Sequence, residues 1–115
     1  MAGATVSLGG ATQRLLPEGV PVRFFGTAVV SHILAWLAIA FNAEDFPGFV
    51  GGIGPGLATV HVLTIGVLTM TTMGASLQML PVALGGSAPS SWICNVIFAA
   101  VLVGGSGVII GMATL

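Results

Sequence analysis

The two histidines of this sequence, His32 and His61, both stand inside apolar stretches, and imidazole is the side chain that takes a proton or a metal near neutral pH. His61 opens the string HVLTIGVLTMTTMGASLQMLP, an uncharged segment of membrane-spanning length. An ionisable ring is costly to bury in hydrocarbon, so such a residue is a functional-site hypothesis by default. At about 100° per residue, with His61 at zero, Thr64, Thr71 and Gln78 fall between about −60° and −100°, and Thr72, Ser76 and Thr69 between about +20° and +80°. All of these polar side chains then share one half of the helix. Leu63, Val67, Met70, Met73 and Leu77, with Gly66 and Gly74, occupy the other half, which suits lipid or a close-packed neighbour. The pattern predicts a buried polar face, because lipid would leave its hydroxyls, amide and imidazole unpaired. Two uses of that face are open. One is a haem or metal site with a neutral His61 nitrogen as ligand and a hydroxyl, carbonyl or carboxylate on the other ring nitrogen. The other is packing, with His, Thr, Ser and Gln hydrogen-bonding across helices.

The elements that must carry these residues follow from composition. Of 115 residues, 56% are hydrophobic and 4% charged, and the mean hydropathy is +1.13. Soluble domains carry roughly 25% charged residues, so the chain reads as an integral membrane protein. Its charges are Arg14, Glu18, Arg23, Glu44 and Asp45. They form no basic patch, which excludes a nucleic-acid partner. The same scarcity leaves no carboxylate near either histidine in sequence and no apparatus for nucleophilic hydrolysis. It also gives a small transporter or channel little support, since no charged residue is expected within a span.

About 20 apolar residues cross a hydrocarbon core of roughly 30 Å. Three runs meet that length, at about 22–41, 57–80 and 92–113, the second closed by Pro81. The expected fold is all-α, a tail over residues 1–20 followed by a domain over 21–115 of three transmembrane helices in an up-down bundle. The tail lacks the charged start and continuous apolar core of a signal peptide, and reads as a poorly ordered segment retained in the mature protein. The Gly51–Gly56 run lacks the Lys-Ser/Thr ending of a phosphate loop. Cys94 reads as a small buried hydrophobe and Trp92 as an interfacial anchor. In the third span, Asn95 and Ser106 lie among glycines, and Gly107-x-x-x-Gly111 suits close helix approach.

Arg14 and Arg23 precede the first span and the first loop holds only acids, which predicts a cytoplasmic N-terminus and an outer C-terminus. In that frame His32 lies about 15 Å and His61 about 6 Å from the outer surface. An offset of roughly 9 Å makes the two poor axial partners for one haem, and His32 the weaker metal-ligand candidate. A site with two histidines would more naturally use two copies of His61 or a histidine from another subunit.

The string from His61 to Gly85, HVLTIGVLTMTTMGASLQMLPVALG, resembles the second transmembrane helix of subunit I of the haem-copper oxidases and nitric oxide reductases, in particular an uncharacterised branch. Pro21-Val-Arg-Phe-Phe25 is similar to the approach to that family's first helix. The resemblance implies that His61 is an axial ligand of a low-spin haem b serving electron transfer, with Thr64, Thr71 and Gln78 supporting it. Full members have many more spans and several further histidines, so the resemblance implies part of an oxidoreductase that is not catalytic alone. The chain is expected either as a piece of a longer subunit or as a short protein keeping only the packing of the first helices. The membrane family of nitric-oxide response proteins has a similar His-then-Leu-Pro helix. The expected partners are the lipid bilayer of a bacterial inner membrane and other membrane subunits or further copies. The alternative is a cofactor-free structural or assembly subunit that packs through its polar and Gly-rich helix faces.

Overall fold

A computed structural model describes residues 9–115, and every regular element among them is helical. A short helix, Gly9–Thr12, precedes three helices long and apolar enough to cross a membrane: a first span, Gly19–Phe41, a second, Pro55–Ala83, and a third, Ser91–Thr114. Each covers its expected segment and extends beyond it at one or both ends.

The boundaries have local causes. Gly54 has φ +145°, a conformation open essentially to glycine; its N–H donates to the Met112 carbonyl (2.9 Å) while its own carbonyl accepts from Ala58 N–H (3.0 Å). That glycine therefore starts the second span and ties it to the end of the third, with Pro55 in the first turn where its missing N–H costs nothing. At the other end the expected stop at Pro81 is corrected, because the helix runs through this proline to Ala83. Pro81 has no N–H to give the carbonyl four residues back, and the helix continues past it for only two residues. The stop is Gly85, at φ +68°, preceded by Leu84 N–H donating to the Leu80 carbonyl (2.9 Å). A side chain at φ > 0 costs about 1 kcal/mol or more. Gly85→Ala is expected to lower the midpoint of detergent-induced unfolding accordingly, and an unmoved midpoint would remove this residue as the stop. The third span begins on Ser90, whose Oγ accepts the Ile93 N–H (3.4 Å) as an N-cap.

The buried cluster lies toward the end of the molecule that carries Arg14 and Arg23. Phe24 and Cys94 are fully buried, joined by Val20, Ala28, Met70 and Leu16. Leu16 corrects the expectation of a loose tail: residues 9–18 return a core side chain, while residues 1–8 lie outside the described part. Phe24 meets Phe98 edge to face, with centroids 5.1 Å apart. Such a pair is worth about 0.5–1.5 kcal/mol beyond its buried area. The first span packs along the second, and the third leans on the start of the second. The rest of each span is open: Val29, Trp36, Leu68, Val103 and Ile110 are each at least 59% exposed, an apolar surface far larger than a soluble monomer shows.

Candidate functional site

The second span is not uniform. Between the α-helical turns Pro55–His61 and Met70–Ala83 lies a π-helical stretch, Val62–Thr69. Its wider turns bond i to i+5, a geometry rare in proteins and frequent at functional sites. Thr69 follows the same register: its hydroxyl donates to the Thr64 carbonyl five residues back (2.9 Å).

His61 is the residue directly before this stretch, and its ring is half-buried. Its Nδ1 lies 2.9 Å from the Leu57 carbonyl of its own helix. A carbonyl can only accept, so Nδ1 carries the proton and, in the neutral ring, the lone pair sits on Nε2. This is the arrangement by which a second-shell carbonyl fixes the tautomer and direction of a metal-ligating histidine. The donor chemistry of His61 therefore fits an axial ligand to iron through Nε2.

His32 is arranged the opposite way. Trp36 Nε1 donates to His32 Nε2 at 2.8 Å, and an indole N–H is only a donor, so the Nε2 lone pair is already engaged. The His32 ring is exposed and lines a groove of about 320 Å³ between the first two spans, with Phe25, Ala28, Val29, Ile33, Val67 and Thr71. Val67 and Thr71 follow His61 by six and ten residues, roughly 9–15 Å along the helix. The two histidines thus serve different places, and Thr71 belongs with His32 rather than with His61.

The expected buried polar face is corrected. Thr64, Thr71 and Thr72 are exposed, and Thr69, Ser76 and Gln78 are half-buried. The buried side is the glycine side, Gly66, Met70 and Gly74. A Cβ added at Gly66 would lie 2.5 Å from Ser31 Oγ, and one at Gly74 2.8 Å from Phe24 Cβ. Close backbone approach at small residues, rather than hydroxyl pairing, holds the first two spans together. The hydroxyls of Thr27, Thr59 and Thr114 return to carbonyls four residues back in their own helices instead of crossing between spans. Gln78 Oε1 is buried with no hydrogen-bond partner.

One polar link between spans was not anticipated. Arg23 lies one turn inside the first span rather than before it, and its Nη1 donates to Asn95 Oδ1 of the third (2.6 Å). Nε of Arg23 donates to the Gly19 carbonyl (3.1 Å), and the guanidinium carbon stands 5.9 Å from the Phe98 ring centroid. A signal existed, since Arg23 and Asn95 each fall four residues after the first residue of their helix. Among the described residues no group of three or more His, Cys, Asp or Glu side chains gathers as a metal site. Comparison with known proteins finds no matching family model, no matching curated protein and no matching solved structure.

Proposed function

We propose that this chain is an integral membrane unit of three spans in an up-down bundle, with a cytoplasmic N-terminus, that holds haem b through His61 Nε2 as part of an electron-transfer assembly. The observation that carries the reading is the Nδ1–H bond from His61 to the Leu57 carbonyl, which leaves Nε2 as the free donor atom. When bound, the haem supplies one-electron transfer at its iron. The chain's own contribution is to fix the imidazole tautomer through Leu57 and to carry the ring directly before the π-helical stretch. His32, with its lone pair engaged by Trp36, is not a ligand in this arrangement. A second ligand to the haem would then come from another membrane subunit or a further copy.

Haem added to the full chain in detergent or vesicles is expected to give a Soret band, high-spin with His61 as the one protein ligand and low-spin where a further copy supplies the second. A colourless protein would overturn the reading.

The competing reading, a cofactor-free assembly subunit, has its own observation. A Cβ at Gly104, Gly107 or Gly111 would meet nothing within 4 Å, so the glycines of the third span are open to another helix. That reading predicts that Gly107→Leu or Gln78→Leu disrupts association on detergent gels while His61→Ala is tolerated.

A further inference from the structure

We infer that the π-helical stretch Val62–Thr69 is the element that aims His61, and that Thr69 is a positioning residue which holds it; the inference rests on the reading of His61 as a ligand. In an uninterrupted α-helix the nine residues from His61 to Met70 would turn the chain by roughly 900° at about 100° each, leaving His61 half a turn away from Met70. The ring would then face away from the buried line Gly66, Met70 and Gly74. A π turn uses about one residue more, so eight π residues, close to two turns, lag an α-helix by roughly 150°. That lag swings His61 from the far side toward the buried line, in keeping with its half-buried state.

Three contacts hold the wide turns. Thr69 Oγ1 donates to the Thr64 carbonyl at 2.9 Å. Ile65 fits the notch at Gly105 of the third span, where a Cβ would lie 2.6 Å from Ile65 Cγ2. Gly66 sits against Ser31 of the first span, with 2.5 Å from its would-be Cβ to the hydroxyl. Both neighbouring spans therefore grip the stretch directly after the ligand.

The arrangement has an unusual genetic consequence. A substitution that returns the segment to α-helix turns His61 outward, and deleting one residue from it turns His61 back, because eight α residues put it at about 80° from Met70 instead of half a turn away. The test uses the full chain carrying Cys94→Ser in lipid vesicles, with a nitroxide on Cys introduced at position 61 and, as a lipid-facing reference, at position 29. Accessibility to lipid-dissolved oxygen at position 61 is expected below that at position 29. It should rise to the reference level with Thr69→Leu, stay low with Thr69→Ser, and fall again when Leu68 is also deleted.

With His61 retained, the Soret band should follow the same order: present, lost, present, regained. A label at position 61 as accessible as the reference in the parent chain, or unmoved by Thr69→Leu, overturns the inference. A colourless parent chain whose labels follow the expected order overturns the haem reading and leaves the aiming of position 61 standing.

Discussion

His61→Ala is expected to abolish the Soret band of the haem-loaded chain, and His32→Ala to leave it in place. The two imidazoles differ in which nitrogen holds a lone pair ready for iron. In His61 the Leu57 carbonyl takes the Nδ1 proton at 2.9 Å, so Nε2 is free. In His32 the Trp36 indole donates to Nε2 at 2.8 Å. Disturbing an outer-shell partner of a metal ligand costs about 10–100-fold in affinity; removal of the ligand itself should exceed that range, which a haem titration followed at the Soret maximum can measure. Helix content should be unchanged in far-UV circular dichroism, because the hydrogen bond of His61 is to its own helix and no span loses a neighbour. Equal loss of the band in both variants would mean that neither tautomer argument governs binding.

Gly66→Ala is expected to weaken the pairing of the first and second spans, and Ser31→Gly to restore it in the double variant. The added methyl would lie 2.5 Å from Ser31 Oγ and 2.6 Å from Ser31 Cβ. The hydroxyl can rotate away, but Ser31 Cβ is fixed to the backbone, so the helices must part. Overpacking of this kind costs about 1–3 kcal/mol. Lipid tails are as apolar as the side chains they replace, so the hydrophobic effect does not push the spans back together. Ser31→Gly removes the atoms that collide and should recover most of the loss, while Ser31→Gly alone should cost little. A denaturing-detergent titration of the four proteins gives the coupling, and additive effects of the two substitutions would show that this contact does not set the approach.

The sequence by itself determined the class of the molecule. Apolar runs of membrane length are dictated by the need to satisfy backbone groups within each segment, and composition registers that directly. Fully buried Cys94 lies where residue chemistry placed it. That His61 stands within a membrane-length apolar helix was legible too, because an imidazole there is conspicuous.

Its direction was not legible. The helical wheel assumes one twist per residue along the whole span, and the π stretch breaks that assumption between His61 and Met70. The trace it left was the five-residue spacing of Thr64 and Thr69. Pro81 was not the stop: the helix runs two residues past it, and the left-handed backbone that ends the helix belongs to Gly85.

Which half of the second span is buried was decided by the tertiary structure alone. Polar patterning favoured the threonine side, but threonine hydroxyls can return to carbonyls of their own helix, so they need no neighbour. Glycines gain only by close approach, and Ser31, Phe24 and Ile65 supply the surfaces that fill their notches. That fit depends on shapes from three separate segments, which no local pattern encodes.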